Sequence, residues 1–304
     1  MSSKTNIKLI LALFSIAFCW GTTYLAIRIG VETIPPILVC GLRNLLAGTI
    51  LLIYLVINKQ LTKMNPLRIK QNLIVSFMLI ILANGLTTFS EKYISSGLAA
   101  LIASLSPLVI LLFNLGLRHE KFSSKILIGI FLAVGGISLI YQTSIEDFFN
   151  PDYHIGIMAI LGAVLAWSTG TIYSKSQPKY TNGLLLDSCI QMYFAGFFLI
   201  SLQFIVQPQI QLDSWTFHSI WAVVYLAIFG SILGYISYIY ALTQLPSTKV
   251  SIVTYINVVV ALFLGWLILK EEVTMRMILA AILILSGVIT ANYSEIKLWK
   301  KKEL

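Results

Sequence analysis

Charge is what this chain has least of. Only 11% of its 304 residues are Asp, Glu, Lys or Arg, against 58% hydrophobic residues, where soluble domains carry roughly 25% charged residues. That shortage excludes a soluble globule. Cysteine is scarce too: Cys19, Cys40 and Cys189 all sit inside apolar runs and form no CxxC pair. They provide neither a disulfide framework nor a metal site. The three histidines, His119, His154 and His218, lie at segment ends and share no ligand spacing with the cysteines, so no metal and no cofactor is expected. An intramembrane enzyme needs a Ser/His, Asp/Asp or His-based set within reach of the bilayer interior. The chain holds none, and a catalytic function is not expected. A scaffold or receptor would need long loops or an extra soluble domain, and neither is present.

What is abundant is apolar sequence in runs of about 18 to 24 residues, the length a helix needs to cross a bilayer. Ten spans are expected at roughly 7–29, 36–57, 71–89, 94–115, 124–141, 155–175, 184–205, 218–241, 246–269 and 275–292. The first run follows Lys4 and Lys8 but continues past Trp20-Gly21 to Arg28 with no small-residue cleavage pattern, so it reads as an uncleaved first helix.

The net charge of +9 is explained by topology rather than by nucleic acid. With both termini in the cytoplasm, fifteen of the 21 Lys and Arg fall on the inner side. Four (Arg28, Lys92, Lys270 and Arg276) fall outside, and Arg43 and Lys249 lie within spans. Basic residues concentrate in cytoplasmic loops, which sets this orientation in the cell (inner or cytoplasmic) membrane.

The chain also repeats itself. Stretches 83–138 and 234–289 superimpose without a gap in hydropathy and punctuation: Glu120 matches Glu271, Lys125 matches Arg276, and Gly136 matches Gly287. Five spans per half is an odd number, so the halves would insert in opposite directions, as in many secondary transporters. The expected organisation is a first repeat over 1–143, an acidic linker over 144–153, a second repeat over 154–293 and a basic cytoplasmic tail over 294–304.

Polar stripes mark the expected interior. Trp20, Thr23 and Tyr24 share one face of the first span, and Trp167, Gly170, Thr171, Ser174 and Lys175 repeat that register in the sixth. Asn84, Thr87, Thr88 and Glu91 share a face of the third, and Ser231, Tyr235 and Tyr238 one of the eighth. Hydroxyls and amides at mid-depth need partners, so these stripes read either as cavity walls or as small polar groups packing helix on helix. Symmetry favours the cavity. Arg43 inside the second span either binds a ligand or locks the bundle through backbone carbonyls, as Gln191 could at the matching site. Lys249 either snorkels outward or meets a substrate carboxylate. Glu91, beside Lys92, is expected to be solvated at the outer surface. Glu120 and Glu271 are expected to anchor the turns by accepting hydrogen bonds from the N–H groups of the helix that follows. Gly129, Gly135, Gly136 and Gly287 are expected where helices approach closely, and Gly21, Gly97 and Gly234 at the gates. With no carboxylate deep in a span and none of the usual proton relay residues, an uncoupled carrier is expected.

Several local patterns, Trp20-Gly21-Thr22, Gly41-Leu42-Arg43, Ala47-Gly48, Ser106-Pro107 and Glu120, return in the second half as Trp167-Ser168, Ala195-Gly196, Pro246-Ser247, Tyr255-Ile256-Asn257 and Glu271. In that order and spacing, from about residue 8 to 292, the chain resembles the EamA family of the drug/metabolite transporter superfamily. The resemblance implies an all-α membrane protein, with ten transmembrane helices in two inverted five-helix repeats around a central cavity, that exports amino acids or other small metabolites. It also puts Asn257 among the candidate substrate-binding residues. The family's proline after Tyr-x-Asn is Val258 here, while Pro107 is kept in the first half, so a kink is implied in the fourth helix and is not dictated in the ninth. The small multidrug members of the superfamily depend on a glutamate in their first helix, where this chain offers Trp, Thr and Tyr. The expected partners are a small-molecule substrate and the lipid bilayer, with no nucleic acid, and the expected state is a monomer or weak homo-oligomer.

Overall fold

A computed structural model describes residues 3–118, 122–141, 150–178 and 183–291. Glu120, most of the linker and the basic tail lie outside the described residues. Among the described residues, and beside a 3-10 turn at Leu212–Ser214, ten longer helical segments follow one another: α1 (Ser3–Gly30), α2 (Pro36–Ile57), α3 (Pro66–Ser90), α4 (Ser96–Gly116), α5 (Ser124–Tyr141), α6 (Pro151–Ser176), α7 (Leu184–Val206), α8 (Phe217–Gln244), α9 (Ser247–Leu269) and α10 (Met275–Ala291). Eight are long and apolar enough to cross a membrane, while α5 and α10 are shorter apolar helices. The helices α3 and α6 begin several residues before the apolar runs read from the sequence, where polar caps start them, and α8 starts on a cap of the same kind. Asn65 accepts from the Arg68 N–H at 2.7 Å, Asn150 from that of Asp152 at 3.0 Å, and Thr216 from that of Ser219 at 3.3 Å. Each supplies an acceptor to an N–H that the helix itself leaves unpaired.

The packing falls into matched pairs. α2 lies along α7, and α5 along α10. α1 packs on α8 and α9, and α6 packs on α3 and α4. In the α5–α10 pair the backbones nearly touch. A Cβ on Gly129 would stand 2.5 Å from the Gly287 carbonyl oxygen, and one on Gly287 would stand 2.7 Å from that of Gly129. Gly136 is equally confined by Ile284 and Ala280. Gly135 departs from expectation: nothing lies within 4 Å of where its Cβ would be, because it points about 100° round the helix from its neighbour. Phe14, Phe18, Phe131, Ile205 and Ile282 are exposed on the outside, where lipid tails would solvate them.

Four helices are irregular, in two corresponding pairs. α3 contains a π-helical stretch, Phe77–Asn84, and α8 contains another, Leu226–Tyr235; Asn84 and Tyr235 hold equivalent positions in the repeat. α4 breaks after Ala103 and α9 after Ile252. Pro107 stands just past the first break, but the second occurs without a proline. Hydroxyls substitute for it: Ser251 Oγ donates to the Ser247 carbonyl at 2.8 Å and Thr254 Oγ1 to that of Ser251 at 2.6 Å. Ser104 and Ser106 do the same in α4, at 2.6 and 2.7 Å. A side-chain hydroxyl that binds the preceding turn competes with the backbone ladder and bends the helix.

Candidate functional site

The irregular stretches surround one cavity. It lies between α1, α2, α3, α4, α6, α8 and α9. Eight of the twelve candidate substrate-binding residues line it: Trp20, Thr23 and Tyr24 from α1, Arg43 from α2, Asn84 and Thr87 from α3, Trp167 from α6 and Asn257 from α9. Ser104, Ser106 and Thr254, from the breaks of α4 and α9, complete the polar wall. Thr171, Tyr235, Tyr238 and Lys249 do not line it.

Each wall residue is held by its own helix geometry. Trp20 Nε1 donates to the Gly230 carbonyl at 3.1 Å, within the π-helical stretch of α8. Its indole fits because position 234 is glycine: a Cβ there would lie 2.3 Å from Trp20 Nε1. Asn84 donates to the Leu79 carbonyl at 3.1 Å, five residues back. Asn257, with its amide nitrogen turned toward α1, donates to the Ala17 carbonyl at 2.7 Å.

Three aromatic rings close one end. Trp20 and Trp167 meet edge to face at 5.2 Å between centroids, and Tyr238 lies 5.1 Å from the first and 4.8 Å from the second. Tyr238 is wholly buried, and its hydroxyl bonds Thr171 at 2.6 Å. These two residues therefore support the cavity's aromatic end instead of facing it.

Beyond the rings lies a second, polar pocket lined by Arg68, Asn72, Ser174, Lys175, Asp187 and Gln191, among others. One chain of hydrogen bonds runs through it. Arg68 Nε pairs with Asp187 Oδ1 at 2.8 Å, Asn72 donates to the same oxygen at 2.7 Å, Gln191 donates to Asn72 at 2.6 Å, and Tyr235 donates to Gln191 at 2.6 Å. The sequence reading missed this network, since Arg68 and Asp187 stand 119 positions apart. Lys175 Nζ donates to the carbonyls of Leu242 and Leu245, where a cation suits the negative end of α8. Lys249 is half-buried near the start of α9.

Two charged positions have surroundings that local sequence does not show. Arg43 is 4% exposed and its Nε has no hydrogen-bond partner. No bond from it to a backbone carbonyl occurs among the described residues, so it does not lock the bundle in that way. Glu91 is not solvated. It is 0% exposed, one residue beyond the end of α3, and neither carboxyl oxygen has a hydrogen-bond partner. Burial raises its pKa well above the usual carboxylate range and Glu271 adds to the rise, while Arg28 and Arg43 oppose it. Local sequence misled here because Lys92 is exposed, yet the adjoining side chain turns inward. Arg28 Nη1 bonds the Glu91 backbone carbonyl and caps the end of α3. Glu271 is an anchor, but on a different helix from the one expected. It accepts from the N–H and hydroxyl of Ser96, both at 2.9 Å, and from the Gly97 N–H at 3.3 Å, so it caps the start of α4 and not of α10.

The sequence profile of the EamA-like transporter family matches twice, over residues 7–142 and 154–293. The chain belongs to the EamA-like transporter family. Its relatives include the uncharacterized transporter YoaV of Bacillus subtilis, 24% identical over 95% of this chain and 98% of YoaV. The uncharacterized inner membrane transporter YedA of Escherichia coli is 31% identical over 84% of this chain and 80% of YedA. A crystal structure only 17% identical, covering 94% of this chain and 98% of its own, superimposes with a TM-score of 0.67 and shares the fold. The double match falls on the two halves whose packing and irregular stretches correspond. Membership makes the protein a transporter.

Proposed function

We propose that this transporter exports small metabolites, amino acids or related carboxylated amphipathic compounds, by alternating access through the cavity between Trp20, Trp167 and Arg43. Ten membrane helices in two five-helix repeats of opposite orientation would surround that cavity, with both termini on the cytoplasmic side of the cell membrane. The carrying observation is the composition of its wall. Aromatic faces and hydroxyls supply apolar contact and hydrogen bonds, and one buried guanidinium lacks a partner at Nε. A ligand carboxylate would give Arg43 the bidentate partner its planar fork suits. The same cation argues against lipophilic cations, so drug efflux is the weaker reading. Uptake is the runner-up, because a carrier runs whichever way the gradients acting on it point.

Alternating access would work by opening the aromatic end while the end at Arg28 and Glu91 stays shut, then reversing. Counter-flow in proteoliposomes loaded with labelled amino acids tests the reading. Wild-type protein is expected to exchange one chemical class, and Trp20→Ala or Tyr238→Ala to abolish the exchange. Arg43→Gln is expected to weaken apparent affinity 10- to 100-fold, the worth of about 1.4–2.7 kcal/mol, which is in the range of a charge-assisted hydrogen bond. Folded protein that exchanges no amino acid would overturn the substrate assignment.

A further inference from the structure

Glu91 is the group that the transport reading leaves unexplained. Its backbone N–H still bonds the Thr87 carbonyl at 3.2 Å, so its side chain continues the helical face on which Thr87 lines the cavity. Arg28 follows Tyr24 by the same four residues on α1. Glu91 and Arg28 therefore stand one turn beyond the cavity wall, at the end opposite the aromatic rings.

The ionisable groups that act on Glu91 come from several elements. α1 contributes Tyr24 and Arg28, α2 Arg43, and the turn after α9 Glu271. α4 has no ionisable side chain. α6 packs on the end of α3 where Gly156 meets Ser90 and Tyr93, and it brings Asp152 and His154 at its first turns. Glu271 is saturated by Ser96 and Gly97. Glu91 has neither a donor nor water access.

We propose that Glu91 is a proton-binding site and that its proton is carried together with the substrate carboxylate. This rests on the transport reading above. A buried carboxyl without donors is stable only in its neutral form. With Glu91 neutral, Arg43 faces no anion and accepts the ligand's carboxylate. With Glu91 ionised, it competes with that carboxylate for the same two guanidinium groups. Proton and substrate therefore strengthen each other's binding by the same factor. One proton enters Glu91 as one carboxylate settles at Arg43, both leave on the other side, and the pair crosses with no net charge beyond the substrate's own protonated form. Export then runs on the substrate's gradient and brings a proton out with each molecule.

Three readouts test this. In the infrared, wild-type protein at neutral pH is expected to show a protonated-carboxyl stretch that Glu91→Gln lacks. Identical spectra overturn the proton site, whatever the protein moves. In proteoliposomes supplied with a mixture of carbon-14-labelled amino acids, an inside-alkaline gradient of one pH unit is expected to drive about tenfold accumulation, which Glu91→Gln is expected to lose. Exchange by the wild type that ignores the gradient overturns the coupling and leaves the carrier reading intact. Absence of exchange fails the substrate reading first. Where Glu91→Gln does not fold, a pH dye trapped with amino acids inside wild-type vesicles decides. Efflux is expected to raise the lumenal pH, and efflux at constant lumenal pH overturns the proposal.

Discussion

Replacing Gly234 by alanine tests the architecture of the cavity at one atom. The new Cβ would stand 2.3 Å from Trp20 Nε1, 2.6 Å from Trp20 Cδ1 and 3.1 Å from the Phe229 carbonyl oxygen. Carbon contacts settle near 3.5–4.0 Å, so the indole must retreat by more than about 1 Å. Such a retreat breaks its bond to the Gly230 carbonyl, now 3.1 Å long, and disturbs its edge contact with Trp167. Overpacking of this kind costs about 1–3 kcal/mol and the lost hydrogen bond about 1 kcal/mol, offset by about 0.5–1 kcal/mol for removing a helical glycine, giving a net loss of about 1–3.5 kcal/mol. Gly135 is the control, since a Cβ there meets nothing within 4 Å. Removing a helical glycine there is expected to stabilise by about 0.5–1 kcal/mol. Denaturation in detergent read by circular dichroism, with counter-flow on the same preparations, measures both. Gly234→Ala is expected to lose stability and flux together, and Gly135→Ala to lose neither. If the two variants behave alike, Trp20 is not seated as described.

Other consequences follow from single groups. Burial holds the folded-state pKa of Glu91 above its unfolded value, so the folded protein keeps a proton that the unfolded chain has released. Wild-type stability is therefore full below the unfolded pKa of about 4.3 and falls as pH rises, by at most about 1.4 kcal/mol per unit, until Glu91 ionises in the folded state. In Glu91→Gln that slope should vanish, which melting curves taken across pH would show. Glu271→Ala strands the N–H groups of Ser96 and Gly97 and is expected to cost about 2–3 kcal/mol; Glu271→Gln should recover part of it in the same unfolding assay. Tyr238→Phe keeps the ring against Trp20 and Trp167 but leaves Thr171 without its partner. It is expected to lose about 1–2 kcal/mol with exchange retained, whereas Tyr238→Ala should lose exchange.

How far the sequence could be read depends on how local each cause is. Helix positions follow from apolar length, a property of each run alone, and the caps Asn65 and Asn150 explain the extra turns at the starts of α3 and α6. The cavity wall was legible where a stripe repeats at helical spacing: Trp20, Thr23 and Tyr24, then Asn84 and Thr87, face one space because a helix places them on one side. Tyr235 and Tyr238 belong to the same kind of stripe but turn to partners distant in sequence, Tyr235 to Gln191 and Tyr238 to Thr171. No local pattern announces those partners. The break in α9 was invisible to a search for proline because Ser251 and Thr254 make it. Glu91 was misread for a tertiary reason. Beside Lys92 it looks like a surface residue, and only the fold brings Arg28, Arg43 and Glu271 around it. Long-range pairs such as Arg68 with Asp187 leave no trace in neighbouring residues at all.

Alternating access is tested most directly by asking which side reaches the cavity. With Cys19, Cys40 and Cys189 replaced by alanine, Thr87→Cys places a single thiol on the cavity wall. A membrane-impermeant maleimide should label it from either side of the membrane in separate reactions, and transported amino acid should slow both. Labelling from one side alone, with no effect of any amino acid that the protein exchanges, would contradict a cavity that carries substrate across.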